Sequence, residues 1–338
     1  MENIQKKRTD VKGSIHKKTI DILESIVSKE SYVKYREKFE NASNFKFLYD
    51  HPIHIDLEID NVCNFACTFC PIGQPESELG KFYTQKKELP LEKIYSLIDE
   101  CKLIGVNSIQ FSLVNEPLAN KNIFKILKYA SDKKFDDIFI ISNGSLLDEK
   151  KTIQLLETGI KKIQFSLDAY KKETYEKNRF TKTKKPRLYE QVTGNILNFI
   201  KTRDKLNYKF PLVRVSFIEL EENKNEIRDF EEYWQNKVDG IHFQKLTNYK
   251  NKIIELDEIK SNIRCNMSYF RLSIKSDGTV RPCCVGYGEK ILIGDVFKQT
   301  LKEIWESKIM KDFQQMHKEY RSSENKACKE CLEHSNIF

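Results

Sequence analysis

The stretch that most constrains this chain is Asp60-Asn-Val-Cys63-Asn-Phe-Ala-Cys67-Thr-Phe-Cys70-Pro71, which follows an extended apolar run, Ile53 to Ile59. Three thiolates at Cys-x3-Cys-x2-Cys spacing can each take one iron of a cubane cluster. A fourth iron then stays open to a small molecule. A structural zinc site closes with four ligands, commonly as two Cys-x2-Cys knuckles. Here the nearest other cysteine is Cys101, and no histidine follows the loop closely. The ligand count favours an iron–sulfur cluster.

The remaining numbers are compatible with such a centre. The chain has 338 residues, 39% hydrophobic and 32% charged, enough for one large domain and a smaller one. It holds no apolar run long enough to span a membrane. The first twenty residues carry Lys6, Lys7, Arg8, Lys12, Lys17 and Lys18 without an apolar segment, unlike a secretory signal. The expectation is a cytoplasmic protein with no membrane and no nucleic-acid partner. Nine cysteines, an odd number, fit metal or redox chemistry better than a disulfide frame. The net charge of +8 is scattered among acidic residues, with one local concentration at Lys182, Lys184, Lys185 and Arg187.

Residues 1–50 read as an N-terminal helical extension, with a helix over Lys17–Phe39. From residue 53, short β-rich runs alternate with amphipathic segments. Strands are expected at Ile53–Ile59, Ser108–Val114, Asp137–Ser142, Lys162–Leu167, Leu212–Glu219 and Ile241–Leu246. Helices are expected at Leu91–Leu103, Ile123–Ser131, Lys150–Thr158, Leu188–Arg203 and Asn225–Gln235. Repeated strand–helix units mean an α/β fold with a parallel sheet. Periodicity alone leaves a doubly wound sheet and a barrel both open. Working residues belong at the carboxyl ends of such strands. Polar residues concentrate there, at Asn115-Glu116, Ser142-Asn143 and Ser166-Leu167-Asp168.

Residues 248–262 read as a linker. After it, apolar alternation around Asp277-Gly278 marks a hairpin, preceded by Cys265 and ended by Cys283 and Cys284. A helix with Leu301, Ile304, Trp305 and Ile309 follows, and then Cys328-Lys-Glu-Cys331. Four cysteines, Cys265, Cys283, Cys328 and Cys331, would close a thiolate site, for which zinc and a [4Fe–4S] cluster are comparable on ligand count. Cys101 reads as core.

Cys63-x3-Cys67-x-Phe69-Cys70 resembles the signature of the radical S-adenosylmethionine (SAM) superfamily, including the aromatic residue before the third cysteine. The resemblance implies a partial (β/α)6 TIM-like barrel over 51–247. It implies a [4Fe–4S] cluster on Cys63, Cys67 and Cys70 that chelates SAM, and reductive cleavage of SAM to a 5′-deoxyadenosyl radical. It carries SAM contacts to Glu116, where Val114-Asn115-Glu116 stands in place of the common Gly-Gly-Glu. It carries others to Ser142, Asn143, Ser166 and Asp168, to the backbone of Phe69, and to Arg179 as a partner for the SAM carboxylate. Cys265, Gly278-x4-Cys283 and Cys328-x2-Cys331 resemble the auxiliary-cluster extension of that superfamily. They are closer to the shortened, one-cluster twitch form than to the full SPASM form, and the extension would occupy 263–338 as a small hairpin-plus-helix domain with one auxiliary [4Fe–4S] cluster.

The expected function is a radical SAM oxidoreductase acting on a small polar, cyclitol- or sugar-like substrate. The auxiliary cluster would take the second electron of a dehydrogenation, and flavodoxin or ferredoxin would be the electron donor. Alternatives are an epimerase, with Cys284 as hydrogen-atom donor, a peptide- or protein-modifying maturase, and a non-catalytic metal-binding scaffold.

Overall fold

Strand β1, His54–Leu57, stands inside the sheet, and its sequence dictates two chemically different faces. Successive side chains of a strand point to opposite sides. Ile55 and Leu57 therefore enter the core, while His54 and Asp56 line the other face, and all four are buried. The stretch expected as an apolar run is thus an alternating one, continued by Glu58 and Ile59.

A computed structural model describes residues 29–183, 186–245, 264–284 and 286–334. The expected linker and residues 1–28 lie outside these, as do Lys184 and Lys185 of the basic loop. After β1 come α2 (Leu91–Ile104), β2 (Ser108–Gln110), α3 (Ile123–Asp132), β3 (Asp137–Ser142), α4 (Glu149–Glu157) and β4 (Lys162–Ser166). Then follow α5 (Lys172–Asn178), α6 (Leu188–Lys205), β5 (Leu212–Glu219), α7 (Ile227–Trp234) and β6 (Gly240–Lys245). The short α5 carries no apolar stripe long enough to stand out in the sequence. The helices cover one face of the sheet. In α3, for example, Ile123, Ile126, Leu127 and Ala130 recur at helical spacing and are all fully buried. Each large aliphatic side chain contributes about 1.5–3 kcal/mol.

The sheet order is β6-β5-β4-β3-β2-β1-β7-β8-β9. Strands β1 to β6 pair in parallel, and β7 (Arg271–Ile274) adds in parallel to the free edge of β1. β8 (Thr279–Arg281) and β9 (Gly294–Asp295) continue it in antiparallel fashion. This is a partial, open TIM-like barrel. The C-terminal hairpin, expected as part of a separate domain, is built into the same sheet. The single helix expected around Leu301–Ile309 is two, α9 (Leu301–Glu306) and α10 (Lys308–Lys318), because the Ser307 hydroxyl caps the start of α10. α11 (Lys326–His334) carries the last two cysteines.

Helix α1, Lys29–Ser43, lies across the amino-terminal ends of the strands. Its Tyr32 and Tyr35 pack with Ile53 before β1, Leu212 at the start of β5, and Tyr269 and Phe270 of α8 (Met267–Phe270). No helix of the described residues is long and apolar enough to cross a membrane.

Candidate cluster and cofactor site

The loop after β1 is held by the segment that ends α5. Ala66 N–H donates to the Phe180 carbonyl (2.8 Å), Thr68 N–H to the Asn178 carbonyl (3.0 Å), and Phe65 and Thr181 form an antiparallel bridge. Gly73 closes the turn against the loop's own backbone: a β-carbon there would meet the Cys67 carbonyl oxygen at 2.1 Å. Cys63, Cys67 and Cys70 are thereby brought into one neighbourhood. Burial pushes all three thiols up, Cys67 to about 12, and Cys67 and Cys70 add to the effect at Cys63. Three buried sulfurs that resist ionising together are stabilised as thiolates by bound iron, which supplies the missing positive charge.

Glu116 sits at the carboxyl end of β2, fully enclosed. Its Oε1 accepts from Ser142 Oγ (2.8 Å) and Leu118 N (3.0 Å), and its Oε2 from Asn143 N (2.6 Å). Burial raises its pKa to about 7 against these bonds. Asn143 Nδ2 donates to Asn64 Oδ1 (2.9 Å), tying this group to the cysteine loop. Asn115 Oδ1 accepts from Leu113 N (3.1 Å), while its buried Nδ2 has no partner. A costly carboxylate beside an unmatched amide donor is complementary to an amino-acid end, ammonium on one and carboxylate on the other.

A second group lies behind the loop. Asp168, at a left-handed φ of +61°, is buried just past β4. Its Oδ1 accepts from Ile218 N (2.8 Å) and its Oδ2 from Arg179 Nε (2.7 Å) and Nη2. Arg179 Nη1 reaches Cys67 Sγ at 3.8 Å, and the guanidinium rests on the Phe69 ring 5.2 Å away. Arg179, expected to pair with a cofactor carboxylate, is thus already paired, and its free edge faces the thiol. Ser166 ends β4 in register with Ser216 and joins neither group.

The auxiliary cysteines come from three places: Cys265 before α8, Cys283 after β8, and Cys328 and Cys331 one turn apart on α11. Burial pushes the Cys283 thiol well up, and Cys265, Cys284, Cys328 and Cys331 all add to it. Cys284 is held by Arg271, whose Nη1 lies 2.6 Å from its sulfur. Arg271 also contacts Asp56 (3.2 Å), which accepts from Ser273 Oγ (2.7 Å) and pairs with His54 (3.0 Å). Burial opposes ionisation of Asp56, but Arg271 and His54 outweigh it and hold its pKa at about 2. A neighbouring network, Glu58–Lys275–Glu289 with Tyr83, ties the first cysteine loop to the segment after Cys284. Neither network was legible from motif spacing. The period-two His54, Asp56, Glu58 face of β1 is the signal that could have found them.

The radical SAM superfamily model matches residues 57–199, and the SPASM iron–sulfur cluster-binding domain model matches residues 265–332. The chain belongs to the radical SAM superfamily. Among curated relatives, a GTP 3′,8-cyclase of Clostridium perfringens is 25% identical over 178 residues, 52% of this chain and 50% of the relative. The match therefore spans about half of that relative's length. The structure of BtrN in complex with AdoMet and 2-DOIA aligns with a TM-score of 0.51 at 18% identity, covering 82% of this chain and 91% of BtrN. Streptococcus suis SuiB bound to S-adenosylmethionine aligns with a TM-score of 0.59 at 12% identity, covering 82% of this chain and 71% of SuiB. These structural likenesses bear on the fold. As a radical SAM protein with a SPASM-type domain, the chain carries a [4Fe–4S] cluster with SAM and an auxiliary iron–sulfur cluster. The buried, mutually opposed thiols, the enclosed Glu116 carboxyl and the unpartnered Asn115 amide fit both cofactors.

Proposed function

We propose that this radical SAM enzyme dehydrogenates a small polar substrate held on the inner face of the barrel. Cys63, Cys67 and Cys70 hold the SAM-binding cluster. Glu116 receives the SAM ammonium and Asn115 Nδ2 its carboxylate. Ser142 and Asn143 fix the Glu116 carboxylate, and Ser166 borders the cofactor. The Phe69 backbone flanks the adenine. Asp168 and Arg179 act differently from the expectation: together they clamp the cysteine loop and place a positive charge beside Cys67. When bound, the SAM–cluster pair supplies a hydrogen-abstracting 5′-deoxyadenosyl radical, after one electron from a flavodoxin- or ferredoxin-type donor.

The observation that carries the reading is the pairing of a four-thiol auxiliary site with a polar inner face. Cys265, Cys283, Cys328 and Cys331 leave no ligand position for substrate, which suits electron transfer. A cluster held by these four thiols would supply an electron acceptor, so that a secondary alcohol losing one hydrogen atom, one electron and one proton to solvent would become a ketone. Gln164, whose buried Oε1 has no partner, faces inward opposite Arg214 and offers an acceptor to a substrate hydroxyl. A second reading takes GTP as substrate, supported by the name of the curated relatives.

The test is to incubate reconstituted protein, SAM and dithionite with cyclitols, amino sugars and GTP bearing carbon-bound deuterium. Dehydrogenation predicts deuterium in 5′-deoxyadenosine and a product lighter by two hydrogens. A product one mass unit lighter, its abstracted deuterium replaced by one solvent hydrogen, would instead mean epimerisation, with Cys284 as its donor. Turnover of GTP alone would support the second reading.

A further inference from the structure

The auxiliary site contains a histidine that the cysteine motifs do not predict. His317 lies in the last turn of α10, buried to 2% exposure, with the Phe313 ring edge-on at 4.7 Å. Its Nδ1 faces the Cys265 backbone N–H at 3.4 Å and the Ser322 hydroxyl at 2.7 Å. A backbone N–H can only donate, so Nδ1 must carry the lone pair, and the serine hydroxyl can donate to it as well. In a neutral imidazole the proton then belongs to Nε2. That nitrogen stands 3.7 Å from Cys328 Sγ.

We infer that His317 donates an N–H···S hydrogen bond to the Cys328 thiolate and raises the reduction potential of the auxiliary cluster. Adding an electron places more negative charge on the cluster sulfurs. A donor aimed at one of them stabilises the reduced form more than the oxidised form, and does so strongly in a dry interior. The same imidazole ties Cys265 to Cys328, joining two cysteines far apart in sequence. The effect on potential depends only on the auxiliary cluster. Its value for catalysis rests on the proposed electron transfer, for which a more readily reduced acceptor is an advantage.

The test uses full-length reconstituted protein, with iron counted for each variant and both clusters titrated by EPR at controlled potential. His317→Phe keeps the ring shape and removes the donor. At the wild-type midpoint, its oxidised-to-reduced ratio at the auxiliary cluster should rise about tenfold, as expected for losing one hydrogen bond to a charged group. The SAM-binding cluster should not move. His317→Gln, which can return an N–H near Nε2, should recover most of the shift. Full auxiliary iron in His317→Phe with an unmoved potential would overturn the inference, as would a nitrogen coordinated directly to iron by pulsed EPR. If His317→Phe holds no auxiliary iron, 15N NMR of the metal-free wild-type protein decides the matter. A proton on Nε2 supports the inference and one on Nδ1 overturns it. A shifted potential without substrate dehydrogenation would leave this inference standing and sink the proposed reaction.

Discussion

The two cysteine sites are built in opposite ways. Cys63, Cys67 and Cys70 belong to one loop, and backbone hydrogen bonds to residues 178–180 set its shape. Cys265 and Cys331 are 66 positions apart, and their site exists only when α8, β8, α10 and α11 have packed. Local backbone geometry governs the first, and tertiary packing governs the second. Damage to the first should therefore be abrupt and confined to it, whereas damage to the second should be graded.

The largest effect is expected at Gly73. Its missing β-carbon would meet main chain at Cys67 and Ala66, neither of which can swing aside. Gly73→Ala should lose the first site's iron and reduce 5′-deoxyadenosine formation by at least about a hundredfold, since small misplacements already cost that much. Auxiliary iron should remain. Iron analysis and product chromatography check both halves.

Next comes the buried Asp168–Arg179 pair that clamps the loop. Arg179→Met leaves a buried carboxylate without its partner and should cost roughly 3–5 kcal/mol in urea unfolding of the metal-free protein. Combining it with Asp168→Asn should cost less than the sum of the single changes. Lys308→Ala, which removes an exposed i,i+4 pair with Asp312, should change stability by less than about 0.5 kcal/mol.

Glu116 sharpens the comparison through pH. Its pKa is raised to about 7 by burial, above the ordinary value near 4.3. The protonated form therefore favours the fold. That contribution, roughly 3 kcal/mol, is complete below about pH 4 and is lost as pH rises through 7. A bound ammonium needs the ionised form, so SAM affinity in wild type should weaken as pH falls below 7, approaching tenfold per unit. In Glu116→Gln it should be weaker and flat over that range. Calorimetry across pH 5.5–8 distinguishes these outcomes.

Among the changes at the two cysteine sites, the smallest effect is expected at Gly288, where an added β-carbon would meet Cys283 Sγ at 2.6 Å. A side-chain sulfur can give way, so Gly288→Ala should lower auxiliary iron occupancy partially and leave SAM cleavage intact. Complete loss of iron from both sites would erase the contrast with Gly73.

What the sequence made legible follows the same division. The Cys63–Cys70 spacing, the strand–helix alternation and the polar strand ends are local patterns: they announce a parallel α/β sheet and draw attention to Glu116, Ser142 and Asn143, while the barrel came only with the resemblance that the cysteine spacing carries. The Asp277-Gly278 turn announces β7 and β8, but not that β7 would join the edge of β1, because pairing partners are set by tertiary packing. Arg179 and Asp168 were each visible in the sequence; their pairing was not, since the two meet only through the turn that carries α5. His54, Asp56 and Glu58 were hidden by reading β1 as apolar when its alternation is strict. His317 had no motif at all, and its position relative to Cys265 and Cys328 depends on how α10 and α11 fold back.

The most direct measurement is iron and SAM-cleavage stoichiometry after anaerobic reconstitution of wild type, a Cys63/Cys67/Cys70 triple alanine variant and a Cys328/Cys331 double alanine variant. Two [4Fe–4S] clusters predict about eight irons in wild type and about four in each variant. 5′-Deoxyadenosine should vanish only in the triple variant. About four irons in wild type, or SAM cleavage surviving the triple substitution, would contradict the division of labour between the two sites.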